Sequence, residues 1–190
     1  MVDPFKIILT FLALMIATFV MLGESWGSDS QTCLAKNIYY ETRNQPTAGQ
    51  FATAFVTFNR VKDHRYPNDV CEVITQGPAR PSWLNPKKMI PLRHKCQFSW
   101  YCDGKSDKPK KSKAWDKAQK IARLFLDPRT VIVVDISELD DMKLPKGAIV
   151  LIDITGGATH YHADYVQPAW ASHMDSTVEI EDHKYYIWEK

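Results

Sequence analysis

Residues 31–44 read QTCLAKNIYYETRN, and they set Leu34, Ile38 and Glu41 at i, i+4 and i+7. That spacing is one stripe of an α-helix. Two members of the stripe are aliphatic and the third is a carboxylate near the helix's C-terminal end. Just beyond, Thr47 and Gln50 stand in capping-box spacing ahead of FATAFVTFNRV (51–61), where Phe51, Phe55 and Phe58 repeat the same i, i+4, i+7 pattern. Two consecutive amphipathic helices are expected, the first turning an acid toward its apolar side.

Working outward, the turn-rich HRYPNDV precedes a short helix around Cys71 to Gln76. Gly77 to Pro91 holds Pro78, Pro81, Pro86 and Pro91 without a period, so it reads as an ordered loop. After CQFSWYCDG, the Lys-rich stretch Lys105 to Lys113 reads as a solvated loop without a functional role. Ala114 to Leu126 is a third helix, closed by Asp127-Pro128. From there the text turns β-like: VIVV at 131–134, AIVLI at 148–152, ATHYHADY at 158–165 and EIEDHKYYIW at the end. Helices first and strands later predict an α+β fold, a helical lobe followed by a small β-rich region, with the site where the two meet.

The chain has 190 residues, 45% hydrophobic and 24% charged, which suits one packed domain. Its charge is +2, and +3 once the first 25 residues, with Asp3, Lys6 and Glu24, are set aside. That bias is too weak for a nucleic-acid footprint. Lys6 precedes the uncharged run Ile7 to Leu22, a length between a secretory h-region and a comfortable membrane span. Gly23 and Ser25 offer small residues for cleavage before Trp26. Residues 1–25 are therefore expected to be a signal peptide or a signal anchor, and residues 26–190 the exported domain. Export agrees with Cys33, Cys71, Cys96 and Cys102, which show no C-x₂₋₄-C metal spacing and read as disulfides with three pairings open. A disulfide-pinned Cys96–Cys102 loop near the expected site follows.

On physical grounds a carboxylate on an apolar stripe is penalised when ionised, which suits it to general acid catalysis near neutral pH. The competing reading turns Glu41 to solvent, or pairs it with Arg43 or Arg60. The quoted motifs add weight to the first. IYYETRNQPTAGQFATAFVTFNRV, YPNDVCEVITQ and CQFSWYCDG resemble the cell wall hydrolase family of spore cortex-lytic enzymes and phage endolysins. The likeness runs through most of Cys33 to Gly104 and continues more weakly in ATHYHADYVQPAWA.

The resemblance implies a lysozyme-like cleft, cleavage of peptidoglycan glycan strands and no cofactor. It puts the catalytic acid/base on Glu41, and Gln97, Phe98, Ser99, Trp100 and Asp103 along the sugar groove. Tyr161, His162 and Trp170 would form groove wall or core. Asn59 and Arg60 would brace the helices. The chain departs from the family pattern at Thr42-Arg43-Asn44-Gln45, where a second glutamate is missing. A lytic transglycosylase needs one carboxylate, so that reading leads. A muramidase would recruit Asp103 or Glu72 as well. Two rivals remain: a zinc peptidase or amidase using His160, His162, His173, His183 and Asp164, and a non-catalytic wall-binding module built on Trp83, Trp100 and Tyr101. The implied partners are bacterial peptidoglycan and, if the leader is kept, the inner membrane. A monomer in the periplasm or wall is expected.

Overall fold

A computed structural model describes residues 25–188 of the chain, so the run Ile7 to Leu22 and its cleavage or anchoring lie outside the described residues. Three helices build the helical lobe: α1 (Ser25–Thr42), α2 (Thr47–Lys62) and α4 (Lys113–Phe125), with the short α3 (Val70–Thr75) beside them. Their apolar stripes close on one another as their spacing requires. Leu34 and Ile38 of α1 are wholly buried with Phe55 of α2 and Ile121 and Phe125 of α4. Phe51, Phe55 and Phe58 all meet the Phe125 ring, at centroid distances of 5.7, 4.9 and 5.4 Å. Disulfide Cys33–Cys71 ties α1 to α3, and Cys96–Cys102 closes a short loop.

Asp69 caps α3 by accepting from the Glu72 amide, and Ser112 caps α4 by accepting from the Trp115 amide. The expected Thr47/Gln50 box does not form. Pro46 occupies the N-cap, so Thr47 falls one position too far into the helix to cap it. Its hydroxyl instead accepts from Lys117 Nζ at 2.8 Å, while Gln50 Nε2 donates back to the Gln45 carbonyl.

The strands form three small sheets. β3 (Thr130–Val133) and β4 (Ile149–Ile152) pair in parallel, and β5 (His160–Ala163), β7 (His183–Ile187) and β6 (Asp175–Ile180) form an antiparallel sheet in that order. EIEDHKYYIW is thus the end of β6, a turn at Glu181-Asp182 and all of β7. The proline-rich stretch is not a loop throughout. β1 (Ala79–Pro81) and β2 (Met89–Pro91) pair as an antiparallel hairpin, register Arg80↔Ile90. Neither strand has a buried face, so no alternation marked them in the sequence.

Helix α2 is the hinge of the design. One face joins the helical core. The other packs Ala52 and Val56 onto Ala158, just before β5, and onto Tyr185 of the antiparallel sheet, with Tyr161, Val178 and Ile180 around them. Strand β5 is thereby brought to the C-terminal end of α1, where Glu41 stands.

Candidate active site

Glu41 is the penultimate residue of α1, and its side chain opens into a cavity of about 390 Å³. Tyr40 and Arg43 share its helix end in that wall, while Ser99, Trp100 and Asp103 come from the Cys96–Cys102 region and Lys105, Ser106 and Asp107 from the segment after it. The opposite wall is docked onto α1 by its aromatics. Trp100 Nε1 donates to Asn37 Oδ1 at 2.9 Å, and the wholly buried Asn37 donates on to Thr57 Oγ1 at 3.1 Å. Tyr40 stacks on Trp100 at 4.9 Å, and its hydroxyl donates to the Ser106 carbonyl.

Burial pushes the Glu41 carboxyl above the usual carboxylate range, against the opposing pull of the Tyr161 hydroxyl and the Arg60 charge. Tyr161, on β5, donates to Glu41 Oε2 at 3.2 Å. Its own phenol is pushed far up, by burial first and by the Glu41 charge second, so it stays a neutral donor. Among the described residues Glu41 has no ion pair within 4.0 Å, which sets aside the reading in which Arg43 or Arg60 neutralises it. Arg60 acts from further away. It is 4% exposed, its guanidinium lies over the Phe98 and Tyr66 rings, and its Nε donates to the Thr159 carbonyl at 2.7 Å. Asn59 donates to Asp153 Oδ2 and to the Ala158 carbonyl. The Asn-Arg pair therefore braces α2 against the entry to β5, where a brace between helices was expected.

The residues singled out in the sequence separate in space. Ser99, Trp100 and Asp103 share the cavity with Glu41, and Tyr161 reaches the carboxylate. Phe98 is 2% exposed in the helical core and lines no groove. Gln97 is exposed outside the cavity, its amide held by the Gln76 carbonyl. His162 sits on the other face of β5, where its Nε2 meets the Tyr186 hydroxyl at 2.9 Å in a separate cavity of about 480 Å³. Side chains alternate along a strand, so Tyr161 and His162 cannot share a wall.

The same alternation bears on the zinc reading. His160 and His162 face one way with Tyr186 and Lys184, whereas His183, paired with Ala163, faces the other way beside Tyr161 and Tyr185. The three histidines do not converge, and no group of three metal-binding side chains gathers among the described residues. His160 is held neutral, its pKa lowered to about 4 by burial and then by the Arg60 and Arg65 charges.

Of the two extra carboxylates considered, Asp103 lines the cavity and Glu72 lies on α3 outside it. Sequence reasoning missed Asp107, inside the stretch read as solvated loop. Burial and then the neighbouring Asp103 raise its pKa, against the Lys36 charge. Its Lys-rich setting hides it, and only the docking of Trp100 and Tyr40 brings it to the cavity.

The profile of the Cell Wall Hydrolase family matches residues 44–186, well over half of the chain. The chain belongs to the cell wall hydrolase family. It is an enzyme that acts on peptidoglycan, and its two disulfides agree with an extracellular location. The match begins just after Glu41, so the role of that residue rests on the site's geometry. No curated protein matches the chain by sequence. Among solved structures, the catalytic domain of the germination-specific lytic transglycosylase SleB from Bacillus anthracis is similar: 21% identity, 87% of this chain, 98% of that one and a TM-score of 0.51. The SleB catalytic domain from Bacillus cereus aligns at 20% identity over 84% of this chain and 91% of that one, with a TM-score of 0.46. The first likeness bears on fold, and it agrees with the α+β architecture of helical lobe and small sheets.

Proposed function

We propose that this enzyme cleaves the glycan strands of peptidoglycan as a lytic transglycosylase, with Glu41 as its acid and then its base. The observation that carries the proposal is a carboxyl raised by burial, opening into a cavity and held by one neutral donor, Tyr161. Protonated Glu41 gives its proton to the glycosidic oxygen between muramic acid and the next sugar as the C1–O bond breaks. The resulting carboxylate then takes the proton of the muramic C6 hydroxyl while O6 bonds to C1. A 1,6-anhydro ring closes, the acid is restored and no water is consumed. Tyr161 holds the carboxylate between the two proton transfers. Tyr40, backed by Trp100, lines the sugar's path, and Arg43 and Lys105 offer cations to the acidic substituents of the strand.

A second reading has specific support, because Asp103 and Asp107 stand in the same cavity. Either could direct a water to C1, giving hydrolysis. The test is mass spectrometry of muropeptides released from purified sacculi, beside Glu41→Gln. Anhydro-muramyl ends that vanish in the variant support the transglycosylase. Reducing muramic ends send the second carboxylate to Asp103 or Asp107, and cut peptides on intact glycan reject both. We further propose export through residues 1–25 into the periplasm or wall, with a membrane tether if that segment is kept. Processing is read from the amino terminus of the mature protein.

A further inference from the structure

The β1–β2 hairpin is the most exposed apolar feature of the described chain. Trp83 and Leu84, adjacent at its turn, are 87% and 99% exposed, and Met89 and Ile90 on β2 are 55% and 36% exposed. Such a group costs solvation unless something covers it. The charge around it is one-sided. From Val73 to Cys102 the chain carries Arg80, Lys87, Lys88, Arg93 and Lys95 and no acidic residue, although the whole chain is nearly balanced. The nearest acid beyond, Asp103, is already engaged by the Lys105 amide.

The turn is also built to leave water. The Ser82 amide donates to the Lys88 carbonyl, Lys88 to Asn85, Lys87 to Asn85 Oδ1 and Leu84 to Ser82 Oγ. Pro81 and Pro86 have no amide to satisfy. The tip therefore presents apolar side chains with much of its backbone already paired, which lowers the cost of leaving water for a lipid interface. A glycan would stack on Trp83 but has no use for the fully exposed Leu84 beside it, whereas a lipid boundary takes both and the exposed Arg80, Lys87 and Lys88 suit its phosphates.

We propose that this hairpin seats the enzyme on an anionic lipid surface, Trp83 and Leu84 entering the headgroup–acyl boundary while Arg80, Lys87 and Lys88 pair with lipid phosphates. Because Arg93, at the hairpin's base, donates to the Asp103 carbonyl, the seated hairpin fixes the Glu41 cavity relative to the bilayer. This inference is independent of the chemistry assigned to Glu41.

The test uses the full chain with vesicles of one-third phosphatidylglycerol in phosphatidylcholine carrying brominated acyl chains, which quench tryptophans at the interface. Subtracting the Trp83→Phe protein isolates the Trp83 signal from the other tryptophans and from any insertion of the amino-terminal run. Quenching of that signal on anionic vesicles, absent on pure phosphatidylcholine, is expected. Lys87→Ala/Lys88→Ala should weaken hairpin insertion roughly thirtyfold, each lysine near an anionic surface contributing about fivefold. Leu84→Ser should weaken it as well. A Trp83 signal untouched by bromine overturns the proposal. So does one that responds instead to sacculi, which would make the hairpin a wall-polymer site, or to protein concentration, which would make it a self-association surface.

Discussion

Replacing Tyr161 by Phe removes one hydroxyl and leaves the ring stacked on Tyr185 at 5.6 Å, so the fold should persist. The lost bond is the donation to Glu41 Oε2 at 3.2 Å, which favours the ionised carboxylate. A hydrogen bond to an ionised group contributes about 1.5–3 kcal/mol, and about 1.4 kcal/mol corresponds to one pH unit. At this long distance the lower end applies, so removing the bond should hold the proton on Glu41 to a pH about one unit higher. The acid must be protonated to act, so wild-type activity falls as pH rises through its titration, and in the variant that fall comes later. The assay is the pH profile of kcat/KM on soluble glycan strands, which reports the free enzyme. At the optimum the variant should be slower, because the conjugate base is less well held. An alkaline limb that stays put or moves down would refute the assignment of Glu41 as the acid and of Tyr161 as its donor.

Glu41→Gln should lose at least a hundredfold in activity, in keeping with general acid catalysis, measured as anhydro-muramyl product per hour. It should also be more stable than wild type at neutral pH. A carboxyl whose folded pKa is raised binds its proton more tightly in the native state, so wild-type stability falls as pH rises through that range, and the Gln variant escapes the loss. The difference should close below the ordinary carboxylate pKa, as read by thermal melts against pH. Cys33→Ser/Cys71→Ser opens a crosslink across 38 residues, which chain entropy values at about 4 kcal/mol and roughly 10 °C in melting temperature. Asn37→Ala strands the Trp100 N–H in the interior, while the Thr57 hydroxyl keeps its bond to the Thr53 carbonyl; it should cost about 2 kcal/mol and raise KM by loosening the cavity wall, and an unchanged melt would contradict the buried network.

Glu41 was legible because one helical period places it on the stripe of Leu34 and Ile38, and both the period and the penalty on a buried charge are local facts. Tyr161 was named from its motif, but nothing in the alternation T-H-Y-H says which face of β5 turns to α1. That choice depends on where Tyr185 and Ala158 meet α2, a contact more than 100 residues away in the chain for both. His162 was grouped with Tyr161 by adjacency, and adjacency on a strand means opposite faces. The hairpin was invisible for a different reason. Its six strand residues bury no face, and its prolines break the only pattern that could announce it. Asp107 lay hidden among lysines, because solvent-exposed composition says nothing about a loop's last contact with a docked tryptophan.

The Asn59-Arg60 pair decides which of those faces meets the acid. Asn59 holds the Ala158 carbonyl and Arg60 the Thr159 carbonyl, the two backbone groups just before β5 begins, while the Thr159 amide donates to the Tyr186 carbonyl of β7. Three bonds thus fix consecutive residues at the strand's entry from two directions. A slip of one residue would flip every side chain of β5. It would put His160 or His162 toward Glu41 in place of Tyr161, removing the phenol O–H that donates to Glu41 Oε2. The buried guanidinium of Arg60 carries its own desolvation cost, and its Nη1 has no hydrogen-bond partner among the described residues. That cost is consistent with a residue kept for register and for its long-range field at Glu41 and not for stability alone.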